Sequence, residues 1–249
     1  MKIATWNVNG IRARQTQFVE WVQRDQPDII CLQEIKASPA QVPELLLNLE
    51  GYWSHWHGAG GYSGVSLHVR KDLAGRQPEF FSPAFDFETR MLAVQVADLT
   101  VASVYVPNGG KDFEAKLRFL QALAQYAGSH PAEKGSLVLC GDLNVALTDR
   151  DVHEKERKAK AIGQLPEERA LLQTIISAGL VDVTRALAPD NDALFTWWPP
   201  WRNMRQRNIG WRIDYILVGR TAAQKVSECP VLTEIGTSDH APVVATLSG

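Results

Sequence analysis

Short apolar runs of strand character recur along the whole of this sequence, and turn residues bound each of them. The clearest are Asp28-Ile29-Ile30-Cys31-Leu32, Val65-Ser66-Leu67-His68-Val69, Met91-Leu92-Ala93-Val94-Gln95-Val96, Val101-Ala102-Ser103-Val104-Tyr105, Ser136-Leu137-Val138-Leu139-Cys140 and Ile213-Asp214-Tyr215-Ile216-Leu217. Between them, apolar residues recur at helical spacing at Phe18, Val19 and Val22, at Phe113, Leu117, Leu120 and Ala124, and at Leu171, Leu172, Ile175 and Ile176. The pattern predicts an α/β protein with a mixed-sheet core and helices packed outside it, their apolar stripes turned inward. No shift of composition divides the chain. With 249 residues, 45% of them hydrophobic, it can bury one large core, so residues 1–249 are expected to form a single domain and a monomer.

Cys31, Cys140 and Cys229 stand far apart among apolar neighbours and show no CxxC spacing, as expected of reduced core thiols rather than a disulfide frame or zinc site. Neither a signal-peptide pattern nor a membrane-length apolar stretch is present, so a soluble protein of the cytoplasm, or of a nucleus if the host has one, is expected. A net charge of −2 excludes wholesale coating of nucleic acid but leaves room for a local basic face at Arg202, Arg205, Arg207 and Arg212. The highly charged segment Asp151 to Pro166 reads as a solvated surface loop. His55 and His57, near Trp53 and Trp56, read as structural because no carboxylate or cysteine lies near them in sequence.

Several strands end in a carboxylate, carboxamide or phenol where a core strand would simply turn into a loop. Trp6 leads to Asn7 and Asn9, Leu32 to Gln33-Glu34, Val104 to Tyr105 and Asn108, Cys140 to Asp142 and Asn144, and Ile213 to Asp214, while Ser238-Asp239-His240-Ala241-Pro242 introduces the last strand. Singly, each could be a turn or a cap. Together they supply oxygen ligands, carboxamides and one histidine without a cysteine cluster, a chemistry suited to Mg²⁺ or Mn²⁺ rather than zinc.

In this order these residues resemble the exonuclease III type of apurinic/apyrimidinic endonuclease, within the endonuclease, exonuclease and phosphatase superfamily. The resemblance spans nearly the whole chain and is carried by Trp6-Asn7-Val8-Asn9-Gly10, Leu32-Gln33-Glu34-Ile35-Lys36, Gly61-Tyr62-Ser63-Gly64-Val65, Tyr105-Val106-Pro107-Asn108, Gly141-Asp142-Leu143-Asn144, Gly210-Trp211-Arg212-Ile213-Asp214-Tyr215 and Ser238-Asp239-His240-Ala241-Pro242. It implies a four-layered α/β sandwich, two mixed β-sheets face to face with helices on the outside, and one site at the sheet edges. By the same resemblance Glu34 is the principal metal carboxylate, with Asn7 and Asp239 close to the ion. Asp142 aligns or deprotonates the attacking water and Asn144 helps hold it. Asn108, Tyr105 and His240 contact the scissile phosphate, and Asp214 orients His240.

Phosphodiester hydrolysis needs such groups because an anionic substrate must be neutralised and one water held in line. His240 could serve as general base or cationic clamp; a closely paired carboxylate favours the clamp, which leaves the water to Asp142. Half of the eight tryptophans, Trp197, Trp198, Trp201 and Trp211, fall beside the arginine cluster, a plausible nucleic-acid surface, with core packing the alternative for Trp198. The resemblance implies that Trp197, Trp211 and Ile213 line a pocket for an extruded sugar lacking its base. Trp201 is expected to wedge into the duplex, with Lys111 or Arg205 reaching the other side. The expected activity is Mg²⁺-dependent incision 5′ to abasic sites in double-stranded DNA, with 3′→5′ exonuclease and 3′-end cleaning at nicks. The alternatives are a non-specific nuclease, a lipid or inositol phosphodiesterase of the same superfamily, and a catalytically silent DNA-binding module.

Overall fold

The computed structural model describes residues 1–130 and 135–248. Strands of the first half are β1 (Lys2–Asn7), β2 (Ile29–Gln33), β3 (Tyr52–His57), β4 (Val65–Arg70), β5 (Phe80–Phe81) and β6 (Met91–Val96). The second half adds β7 (Leu99–Tyr105), β8 (Ser136–Asp142), β9 (Leu180–Asp182), β10 (Asp214–Gly219), β11 (Val226–Glu228) and β12 (Val243–Leu247). The helices are α1 (Gln15–Asp25), α2 (Glu44–Leu47), α3 (Lys71–Ala74), α4 (Phe113–Gly128), α5 (Pro166–Ser177), α6 (Val183–Leu187) and α7 (Arg220–Ala223).

The strands form two six-stranded sheets, ordered β11-β12-β1-β2-β4-β3 and β5-β6-β7-β8-β10-β9. In each, one parallel pair, β1 with β2 or β7 with β8, is flanked by antiparallel strands. Helix α1 connects the first parallel pair and α4 the second, as a parallel connection requires.

Alternation along the strands builds four layers. In β2, Ile29 and Cys31 enter the core between the sheets, while Ile30 and Leu32 face the outer cluster that includes Phe18, Trp21 and Val22 of α1. In β8, Val138 and Cys140 face inward, while Leu137 and Leu139 meet Phe119, Leu120 and Leu123 of α4 and Leu172 and Ile175 of α5. Strands covered on both faces carry unbroken apolar runs, which is why they stand out in the sequence. Helix α1 ends at Gln26, whose left-handed φ of 46° precedes Pro27, a residue that disfavours continued helix before it. Helix α4 starts on Asp112, whose carboxylate accepts from Ala115 N at 2.9 Å.

Several expectations need correction. The predicted run Ser136–Cys140 continues to Asp142, and the run expected to start at Ile213 starts at Asp214, because ladder pairing rather than apolarity sets strand ends. The segment read as a solvated loop is anchored: Asp151, Val152 and Gln164 are buried, and Asp151 pairs with Arg212 and Arg185. Arg212 therefore leaves the basic face; it is fully buried, with Nε 2.7 Å from Asp151 and Nη1 2.7 Å from Asp182. His57 does have a carboxylate, brought from far along the chain: Asp86 lies 2.7 Å from Nε2 and also accepts from the backbone N–H of Arg90 and Met91. The structural reading of His57 stands for a different reason, since it clasps the loop before β6.

Candidate active site

Sheet register assembles the site. Tyr105 of β7 lies opposite Asp142 of β8, which lies opposite Asp214 of β10, so three residues distant in sequence form one row at the sheet's end. Side chains repeat every second residue along a strand, and Cys140 and Ile216 face the inter-sheet core, so Asp142 and Asp214 do too. Asn7 ends β1 in the facing sheet. Its amide nitrogen bridges the sheets, donating to Asp142 Oδ2 at 2.9 Å and to Glu34 Oε2 at 3.0 Å, while its oxygen accepts from Asn9 N. Just behind it, Thr5 donates to Gln33, Gln33 to Ser103 and Ser103 to the Leu32 carbonyl, a buried polar tie between the sheets. Glu34, Asn9, Lys36 and Asn144 all have positive φ, backbone strain of the kind that gathers where side chains must be aimed.

His240 and Asp214 form a buried dyad. Thr196 Oγ1 accepts from the backbone N–H of Ile213 and Asp214, so its own proton points to Asp214 Oδ2 at 2.6 Å. That oxygen also lies 2.9 Å from His240 Nδ1, which must therefore donate, placing a proton on Nδ1 and turning Nε2 toward Asp142 Oδ2 at 3.9 Å. Burial opposes charge on the imidazole, but Asp214, Asp142 and Asp239 outweigh it and raise its pKa to about 10. Burial likewise pushes Asp142 up to about 7, against the pull of His240 and of the hydrogen bonds from Asn144 N and Asn7. Asn144 is fixed by its own donations to the Val106 carbonyl and Asp142. Tyr105, buried under the Arg90 guanidinium and close to Glu34, is held neutral by burial first and then by the carboxylates of Glu34 and Asp142.

The residues fit a hard cation. Lys36 Nζ lies 2.9 Å from Glu34 Oε1 and 2.6 Å from Asn9 Oδ1, so a positive centre already occupies the oxygen cluster. Asp239 sits beside it, accepting from Asn9 Nδ2 at 2.8 Å and from Trp197 Nε1 at 3.0 Å, and its carboxyl stays below the usual range because the field of His240 and these donors outweighs burial. Asp142, Asp214 and His240 also bring one ligand atom each within 4.8 Å of one another. Their arrangement suits proton handling rather than coordination, since an imidazole kept cationic by Asp214 has no lone pair to offer an ion. Glu34 and Asp239 carry the oxygens suited to an ion, whereas Asn7 presents nitrogen and spaces the carboxylates.

A cavity of about 430 Å³ opens over these groups, lined by Glu34, Tyr105, Asn108, Asp142, Asn144 and His240. Its apolar wall is Trp197, Trp211, Ile213 and Ile162, the tryptophans meeting edge to face at 5.6 Å. Trp201 is 56% exposed, and Trp198 is buried in the core under Arg205. Arg205 does not reach outward: its guanidinium donates to the carbonyls of Ser238, Thr233 and Ile235. That expectation is corrected, and the basic face reduces to the exposed Arg202 and Arg207. Lys111 is exposed near Glu88, next in the chain to Gly110 of the cavity lining. Sequence reasoning missed Thr196, Lys36 and Ile162; a threonine, a lysine and an isoleucine carry no signature until the fold brings them here.

The profile of the Endonuclease/Exonuclease/phosphatase family matches residues 4–240. The chain belongs to this family. Among curated members, an exodeoxyribonuclease of Bacillus subtilis (strain 168) is 32% identical over 250 residues, covering 98% of both chains. Recombination repair protein 1 of Drosophila melanogaster is 33% identical over 98% of this chain, which spans only 36% of that relative's length. Two solved family structures match across 100% of both chains: an AP endonuclease from Archaeoglobus fulgidus, TM-score 0.90 at 29% identity, and the 3′-5′ exonuclease NExo from Neisseria meningitidis, TM-score 0.91 at 33% identity. The family fold is thus the two-sheet α/β sandwich that the resemblance implied, and the strand pattern's α/β class with helices outside agrees with it. No helix among the described residues is long and apolar enough to cross a membrane.

Proposed function

We propose that this chain is a divalent-metal-dependent DNA repair phosphodiesterase that incises duplex DNA 5′ to abasic sites and trims or cleans 3′ ends. The observation that carries this reading is the convergence, in one cavity, of a cation-ready oxygen cluster, the Asp142 and Asp214–His240 row, and a tryptophan-lined wall. Nuclease and AP endonuclease relatives matched over their full length support it. We take the ion to be Mg²⁺, with Mn²⁺ able to replace it, held by Glu34 with Asp239 and Asn7 close by. When bound it supplies positive charge that neutralises the phosphate and the departing 3′ oxygen.

The protein's own groups do the rest. Asp142, with a pKa of about 7, is suited to take the proton of the attacking water at neutral pH, and Asn144 beside it orients that water. His240, kept cationic by Asp214, and the neutral donors Tyr105 and Asn108 receive the charge that grows on phosphorus. Trp197, Trp211 and Ile213 exclude water and offer an apolar surface to a sugar without its base, and a missing base lowers the unstacking cost of extruding it. Trp201 wedges the duplex, with Lys111 on the opposite rim. The chain acts as a monomeric single domain, and its free thiols fit the reducing cytoplasm, or nucleus in a eukaryote.

The test is a labelled duplex with one abasic analogue beside an intact blunt duplex, with Mg²⁺ and with EDTA. Expected is metal-dependent incision 5′ to the lesion, lost in Glu34→Ala and Asp142→Asn. Equal cutting of intact duplex would mark a non-specific nuclease, and no cutting a silent binding module.

A further inference from the structure

Beneath the cavity lies an ion pair that the chemistry above does not use. Lys116 of α4 and Glu168 of α5 are both fully buried and in direct contact. Burying two charges is costly unless every remaining donor and acceptor is satisfied, and such pairs are poor sources of net stability. The partners of this pair are instructive. Lys116 Nζ donates to the backbone carbonyl of Asn144 at 2.7 Å and lies 3.4 Å from that of Asn108. Glu168 Oε2 accepts from the backbone N–H of Gly163 at 2.7 Å and of Leu165 at 3.1 Å. Three loops that line the cavity, carrying Asn108, Asn144 and Ile162, therefore end on one buried pair.

The loops have no slack around it. Gly109 has φ of 84°, and a Cβ there would meet Lys116 Cδ at 2.9 Å and Ile162 Cγ2 at 3.1 Å. Gly163 has φ of 90°, and a Cβ there would meet Trp211 Cζ3 at 3.0 Å and the Asn144 carbonyl oxygen at 3.1 Å. Asn144 itself is held at φ 51°, so the direction of its carboxamide depends on where its carbonyl is anchored.

We propose that Lys116 and Glu168 are positioning residues: their buried pair anchors the loops of Asn108, Asn144 and Ile162 and so sets the water-holding and phosphate-facing groups in register. The inference rests on the function proposed above. A shift of about 1 Å in a reacting geometry costs on the order of 10²-fold in rate, and the pair controls the backbone of two groups at once.

The experiment compares wild type with Lys116→Met, Glu168→Gln and the double variant, by single-turnover incision of the abasic-analogue duplex in Mg²⁺, by melting temperature, and by amide hydrogen exchange at residues 108–110 and 143–146. Lys116→Met is expected to lower kcat roughly 10²-fold with KM changed less than about threefold, and to speed exchange in both loops. The double variant carries no unpaired buried charge, so it folds even where a single variant does not. It is expected to recover melting temperature but neither kcat nor protection. Inactive wild type would refute the proposed function. Active wild type with the double variant turning over within threefold of it, or with kcat recovering in step with melting temperature, would overturn the positioning role.

Discussion

Replacing Asp214 by Asn isolates the charge of the dyad from its shape. The Oδ2 position receives two donors, Thr196 Oγ1 at 2.6 Å and His240 Nδ1 at 2.9 Å. An asparagine must place its oxygen there, because its NH₂ would confront both donors. The hydrogen bonds then survive and only the negative charge goes. Two unit charges about 4 Å apart at an effective dielectric of about 20 attract by about 4 kcal/mol, which is the support His240 loses as a cation. That is about 3 pH units, which brings a pKa of about 10 down to about 7, so at pH 9 the imidazole is neutral in the variant and still cationic in wild type. Recovering the cation at pH 9 then costs about 3 kcal/mol, a fall in kcat/KM of roughly 10²-fold. Single-turnover incision of the abasic-analogue duplex at pH 9 measures it, and melting temperature checks that the fold persists. If the variant keeps kcat/KM within threefold of wild type while folded, His240 does not act as a cation held by Asp214.

Other expectations follow from separate parts of the molecule. Trp201→Ala should weaken binding to abasic duplex much more than to single strands, measured by fluorescence anisotropy; equal weakening would remove the wedge. His68 is fully buried between Ser66 and Ser54 against Trp56 and Phe18, and burial lowers its pKa to about 3. Its folded pKa is depressed, so the unfolded chain alone takes a proton below about 6.5 and stability falls as pH drops from there toward 3. His68→Gln should flatten that acid limb by about 1 kcal/mol per pH unit, read from urea midpoints between pH 6.5 and 4; an unchanged slope would count against it. Gly141 is the glycine of the Gly-Asp-Leu-Asn motif, and a Cβ there would lie 1.9 Å from the Val104 carbonyl oxygen. Gly141→Ala should cost about 3 kcal/mol or prevent folding, and a urea midpoint close to wild type would show that β7 and β8 can part.

Much of the site was legible because a soluble core strand has no reason of its own to end in Asn7, Glu34, Tyr105, Asp142 or Asp214, and local chemistry records that. The helices α1, α4 and α5 were legible from their apolar spacing, since each packs one stripe against a sheet. The fate of charged side chains was not. Arg205 and Arg212 look alike in sequence to Arg202 and Arg207, but two are spent on interior partners and two face solvent. His57 lacked a carboxylate only until the fold supplied Asp86.

The amino-acid order alone thus determined the apolar strands β2, β4, β6, β7, β8 and β10 and which oxygen-bearing side chains close several of the strands, because periodicity and strand-end chemistry are local properties, whereas the short or half-exposed edge strands β3, β5 and β11 carry no such run. Tertiary structure alone decided that Tyr105, Asp142 and Asp214 share one register row, that Thr196 dictates the proton on His240, and that Lys116 meets Glu168. Those relations join residues tens of positions apart, and what a buried charge or hydrogen bond does depends on the partner that packing brings to it.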